Sequence, residues 1–272
     1  MRYEEVVRRV NTLPPLTDTA HIIKKLYSRG YQHLNIDKLV SAIESDAVLC
    51  ATVLRSANSA IYGFRRKINS ISQAISLLGA QIIYGLVLEY CVGQKIQANL
   101  LPYGISSGSF NSMCKLQSLL VKEWYGGIDE EISSYLTPLA HIMEIGKIVL
   151  SSQVIKHGDE VSFFNQIDST NDIEKFEHSY CETTSYFISS LLLDHWQFDY
   201  KYVEILRGLD FELDNDLLEN YINILDIVRV AINVKDQLTK ESIYRATAIV
   251  DELGLDTQKF NDILLGLRKK LL

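Results

Sequence analysis

Residues 140–150 read AHIMEIGKIVL, an apolar run that places His141, Glu144 and Lys147 at intervals of three. At helical spacing these groups share roughly one face. An imidazole and a carboxylate so placed could hold a cation or exchange a proton. The structural alternative is a core histidine with one hydrogen bond and a Glu144–Lys147 pair at the helix surface. Were Glu144 buried instead, it would need a partner to offset its desolvation. The other histidines, His21, His33, His157, His178 and His195, form no H-x-x-x-H pattern. His178 precedes Cys181 by three, the outline of a Cys-His nucleophile, but no orienting carboxylate or oxyanion element accompanies it. The four cysteines, 50, 91, 114 and 181, make no C-x-x-C pair and are expected to stay reduced.

A second candidate lies in DAVLCATVLRSANSAIYG, residues 46–63. If this segment is one helix, Arg55, Asn58, Ser59 and Tyr62 form a polar stripe opposite Val53, Leu54, Ala57 and Ile61. Arg55 then offers a planar fork to a carboxylate or phosphate. Asn58 and Ser59 could equally tie the helix end to the next loop, because such side chains compete well for backbone groups. Immediately after, Arg65, Arg66 and Lys67 follow Phe64, a short basic run that reads as a solvated loop or a contact to an acidic partner.

These residues need elements to hold them, and the apolar period predicts helices throughout. Leu39 and Ile43; Val53, Ala57 and Ile61; Ile71, Ala74, Ile75 and Leu78; and Leu225, Val228 and Ile232 recur at three or four. Asn35, Asp46 and Ser70 are good N-caps ahead of such segments, and the four prolines leave most of the chain free for helix. The chain is expected to be all-α. The cluster LPYGISSGS, 101–109, marks a seam between an N-terminal lobe, 1–102, and a C-terminal lobe, 103–272. The region from DFELDNDLLENY onward is expected to start a helix with an acidic turn, and two short helices with a basic end close the sequence.

Net charge is −7, which argues against broad phosphate-backbone binding. It is uneven: 12 Lys/Arg face 7 Asp/Glu in residues 1–100, and 15 face 27 in the rest. The longest apolar stretch, 80–93, is broken by Glu89 and falls short of the roughly 20 residues that span a bilayer. With no secretory signal in MRYEEVVRRV, the protein is expected in the cytoplasm.

Three ordered segments, LPPLTDTAHIIKKL, VSAIESDAVLCATVLRSANSAIYG and INSISQAISLLGAQII, resemble the N-terminal signature of the HDOD family, the HD-related output domain of bacterial signalling proteins. The resemblance covers residues 13–83 and implies a C-terminal lobe like the HD phosphohydrolases, helical enzymes whose metal site uses a His, a His-Asp pair and a later Asp. There the pair precedes an Ile-Gly-Lys turn, so Met143 and Glu144 stand in its place here. The segment expected to supply the first His offers Asn111 and Ser112, and Thr184 or Ser185 stands where phosphodiesterase-like members carry His. ILRGLDFE likewise lacks a His-His pair. The implied protein is a non-catalytic signalling module with a vestigial metal site, no metal and no cofactor. It would act by binding a signalling protein or a nucleotide-like ligand, with control from a partner or a ligand in trans. Rival readings are a phosphohydrolase or cyclic-nucleotide phosphodiesterase with altered ligands, and a nucleic-acid adaptor using Arg55, Arg65, Arg66 and Lys67.

Overall fold

The computed structural model describes residues 3–28, 30–211 and 216–271, and its regular elements are helices. The first six are α1 (Tyr3–Asn11), α2 (Asp18–Tyr27), α3 (Ile36–Glu44), α4 (Ala47–Ala57), α5 (Ile71–Leu78) and α6 (Ala80–Gly93). After the seam come α7 (Ser107–Tyr125), α8 (Glu130–Ile142), α9 (Gly146–His157), α10 (Glu160–Ser169), α11 (Ile173–Cys181), α12 (Ser185–His195) and α13 (Tyr200–Gly208). The last three are α14 (Asp216–Ala231), α15 (Lys240–Glu252) and α16 (Thr257–Leu271). Among the described residues there is no strand, only an isolated bridge between Ile232 and Gln237.

The expected caps form. Asn35 accepts from Lys38 N, Asp46 from Val48 N and Leu49 N, and Ser70 from Gln73 N, so each satisfies amides that a helix start leaves open. Gly79, at φ 82°, reverses the chain between α5 and α6 in a conformation that disfavours other residues. The segment 101–109 is a 3-10 turn, Leu101–Tyr103, followed by Ser106 capping α7.

Helix α6 is buried on every side from Ala80 to Leu88, which places it in the protein core, and no helix among the described residues is long and apolar enough to cross a membrane. It packs against α8, α4 and α5, while α7 packs against α8, α14 and α16. At the other end α12 lies between α9, α13 and α1. The start of the chain is stitched to that end: Trp196 Nε1 donates to Pro14 O at 3.2 Å, and His195 Nε2 lies 2.9 Å from Leu13 O. The double proline and the helix-terminal tryptophan are therefore two halves of one contact.

Three expectations need correction. Residues 140–150 are not one helix: α8 stops at Ile142, a turn covers 143–145, and α9 begins at Gly146. Nor are residues 46–63, since α4 ends at Ala57 and a 3-10 turn spans Ala60–Tyr62. The closing segment holds one 15-residue helix, α16, which packs on α7, α15 and the turn at Ala60–Tyr62. The acidic stretch before α14 lies, at 212–215, outside the described residues.

Candidate functional site

The break at 143–145 is set by how closely α9 meets α12. A Cβ at Gly146 would overlap Ser185 O and sit 2.8 Å from Ser189 N, so only glycine admits the approach. Gly146 N donates to Ser189 Oγ at 2.8 Å, and that hydroxyl donates to Met143 O at 2.7 Å. One consequence is divergence of the three ionisable groups. His141 points to α6, 2.9 Å from Glu89, whereas Glu144 and Lys147 turn inward.

Glu144 and Lys147 do pair, with Nζ 2.7 Å from Oε2, but not at the surface: their side chains are 0% and 1% exposed. The other carboxylate oxygen of Glu144 accepts from Gln117 Nε2 (2.9 Å) and from the Tyr186 hydroxyl (2.8 Å). Gln117 is itself fixed by donating to Ile232 O, 2.8 Å away. Lys147 also donates to Ser185 Oγ at 2.8 Å and lies 3.8 Å from a second buried carboxylate, Glu177. Glu177 accepts from the Tyr103 hydroxyl and from Ser185 N, both at 2.6 Å. Lys147 and Arg229 both lie near the Tyr186 ring, 4.6 and 4.9 Å from its centroid, and Arg229 is paired with Asp226 at 2.6 Å.

One ammonium thus serves two enclosed carboxylates. Burial works against the charge on Lys147, but Glu144 and then Glu177 outweigh it and push the amine up to about 12. For Glu177 burial wins over the more distant Lys147 and raises the carboxyl above its usual range.

A divalent ion of the HD type does not fit these residues. Glu144 already carries an ammonium, Met143 offers a buried thioether, Gln117 and Tyr186 are neutral donors committed to Glu144, and the Ser185 hydroxyl is taken up in accepting from Lys147. Among the described residues no group of three His, Cys, Asp or Glu converges on a point.

The polar stripe separates. Asn58 donates to Leu54 O (2.7 Å) and Ile68 O (2.9 Å) and accepts from Ile68 N (2.8 Å), which ties the end of α4 to the following loop. Tyr62 is buried, and burial followed by the nearby Glu89 keeps its hydroxyl protonated. Arg55 is exposed and Ser59 half-buried. Burial opposes the charge on Glu89, yet His141, Lys115 and Arg55 hold it below the usual carboxylate range. Arg65, Arg66 and Lys67 stand exposed in the loop between the Ala60–Tyr62 turn and α5. Of the Cys-His outline, His178 is exposed on α11, while Cys181 is buried with its thiol donating to Glu177 O at 3.1 Å. Burial and Glu177 push that thiol up to about 12, which removes it as a nucleophile.

Sequence reasoning passes over Gln117, Tyr103, Glu177 and Tyr186. A signal exists for two of them: Gln117 sits inside MCKLQSLLV, and Glu177 falls in register with Ile173 and Cys181, so each is a polar residue on an apolar face.

The family model of the HDOD domain matches residues 13–209. The chain belongs to the HDOD family. Solved structures similar to this HDOD chain include a virulence factor from Campylobacter jejuni, 23% identical over 99% of this chain and 96% of that one, with a TM-score of 0.59. A Shewanella amazonensis protein provisionally named a phosphohydrolase is 16% identical over 97% and 94%, at a TM-score of 0.71. A provisionally named signal transduction protein from Marinobacter aquaeolei is 20% identical over 100% of this chain and 60% of that one, at 0.70. At these identities the likeness is one of fold, an all-helical architecture shared with HD-phosphohydrolase-like proteins. No curated protein matches the chain.

Proposed function

We infer that this HDOD chain is a cytoplasmic signal-transduction module that acts by binding and catalyses no reaction. The observation that carries the reading is the Lys147 ammonium seated 2.7 Å from Glu144, at the Ile-Gly-Lys turn where the HD enzymes keep their metal-binding pair. The side chains at this turn are enclosed, with Met143, Glu144 and Gln117 at 0% exposure, which weighs against entry of a cation or a phosphodiester. The surface stripe and loop, Arg55, Ser59, Arg65 and Arg66, remain available for a protein partner. The net charge of −7 weighs against a nucleic-acid adaptor.

Protein purified without chelator and titrated with manganese, iron and zinc is expected to take up none of them stoichiometrically. It is also expected to hydrolyse bis(p-nitrophenyl) phosphate no faster than the metal alone. Stoichiometric metal that Glu144→Ala abolishes would overturn the reading in favour of an altered-ligand phosphohydrolase.

A further inference from the structure

A separate concavity lies away from the Ile-Gly-Lys turn. A cleft of about 1000 Å³ opens between α2 with the turn Tyr31–His33 on one side and α8 with the α12–α13 loop on the other. That volume suits a small organic molecule. Tyr84 and Tyr202, 4% and 7% exposed, form its floor, and Tyr27, Tyr31 and Tyr135 are half-buried in its walls. The rings are held in place. Tyr27 stacks on Tyr84 with centroids 3.9 Å apart and planes within 8°, and its hydroxyl donates to Ala80 O at 2.7 Å. Tyr135 meets Tyr202 edge-on at 4.4 Å. These contacts fix the rings of Tyr27, Tyr84, Tyr135 and Tyr202.

Basic and acidic side chains around the cleft lie on opposite sides. The α2 side carries His21, Lys24, Lys25 and His33, and the opposite side carries Glu130, Glu131 and Asp199. Lys24 fastens the two sides together by donating to Trp196 O and Gln197 O, each 2.9 Å away, which supports Gln197 at a φ of 55°. Lys25 and His33 are exposed at the rim. Within α8, Pro138 has no N–H, so the carbonyl of Ser134 one turn earlier loses its helical donor, and both residues line the cleft. Burial and then Asp199 push the Tyr135 hydroxyl well above its usual range, so it stays a donor.

An apolar ligand would strip water from charged groups on both walls and give nothing back. A simple anion would leave the tyrosines unused and face the carboxylates. The combination of ring faces, a free ammonium and imidazoles on one wall and acceptors on the other suits a flat heterocycle with amine donors at one end and an anionic group at the other. We propose that this cleft binds a nucleotide, its base against the tyrosine rings and its phosphate toward Lys25 and His33. The base's amine then meets Glu131, Asp199 or the Ser134 carbonyl. Stacking on aromatic side chains and ammonium–phosphate contact are the interactions that such a ligand uses. The assignment names a ligand for the binding role inferred above and rests on that reading.

The test is calorimetric titration of the full chain with adenosine and guanosine 5′-monophosphates, with the parent nucleosides and ribose 5-phosphate as the two halves. At least one nucleotide is expected to bind saturably, one per chain, and at least tenfold tighter than either half. Lys25→Glu and Tyr31→Ala, both at the cleft rim, are expected to weaken it at least tenfold with the helical circular dichroism unchanged. Absence of saturable binding by both nucleotides, or binding that both variants leave unaltered, overturns the assignment. Binding accompanied by manganese-dependent hydrolysis would uphold the cleft and sink the non-catalytic reading, so the two can fail separately.

Discussion

Lys147 shows why a buried charge is better judged by its neighbours than by its own stability contribution. Its ammonium stands between Glu144 at 2.7 Å and Glu177 at 3.8 Å, with no solvent to take over if it is lost. Lys147→Met leaves two enclosed carboxylates facing each other, and removing one partner of a buried pair costs about 3–5 kcal/mol. That loss is the expected result in urea unfolding at neutral pH. Glu144→Gln in the same chain removes one of the two stranded charges and keeps an acceptor for Gln117 and Tyr186, so the double variant should be more stable than Lys147→Met alone. Additive losses would mean the two groups are not coupled as their geometry implies. Gly146→Ala should be worse than either, because its Cβ would meet backbone atoms of Ser185 and Ser189 that no rotamer change can move. Its expected cost exceeds the ~1–3 kcal/mol of ordinary overpacking, read as low soluble yield or a depressed urea midpoint.

At the scale of elements, what was legible in the sequence is what local chemistry decides. Asn35, Asp46 and Ser70 announce their helices because a cap acts on amides two or three residues away. The two misread segments fail for the opposite reason. Nothing between residues 140 and 150 says that the helix must break, since the break answers Ser185 and Ser189, some forty residues on. Likewise the 3.6-residue period runs on past Ala57, but Asn58 closes the helix by bonding Ile68, ten residues away. The candidate site was half-visible on the same terms: Glu144 and Lys147 share a turn, whereas Gln117, Glu177 and Tyr186 reach it only through the packing of α7, α11 and α12. Asn58 gives this a test. Asn58→Ala leaves the Ile68 amide and carbonyl without partners, and each stranded buried group costs about 1–3 kcal/mol. A loss of that order in thermal or urea melts is expected, against less than about 0.5 kcal/mol for Arg66→Ala in the exposed loop. Equal effects would remove the tie between α4 and its loop as a structural feature.

Across the whole molecule, buried hydroxyls join parts distant in sequence. Tyr27 reaches Ala80, Tyr103 reaches Glu177 and Tyr186 reaches Glu144, so α2, the seam, α11 and α12 all depend on protonated phenols. Burial holds the hydroxyls of Tyr27, Tyr103, Tyr186 and Tyr202 well above their ordinary value, and the carboxylates beside Tyr103 and Tyr186 add to it. In the unfolded chain these phenols ionise near pH 10. Above that pH the folded state binds more protons than the unfolded one, so stability is present below about pH 10 and is lost as pH rises. Lys147 acts in the same direction between its ordinary 10.5 and about 12. Each such group contributes a slope of about 1.4 kcal/mol per pH unit, and several acting together should collapse the fold over a narrow interval. In an alkaline titration, tyrosinate absorbance from these residues and loss of helical circular dichroism are expected to change together. Ionisation of the buried set while the helices persist would mean that hydroxide reaches the core, and that the phenols do not hold these elements together as their contacts indicate.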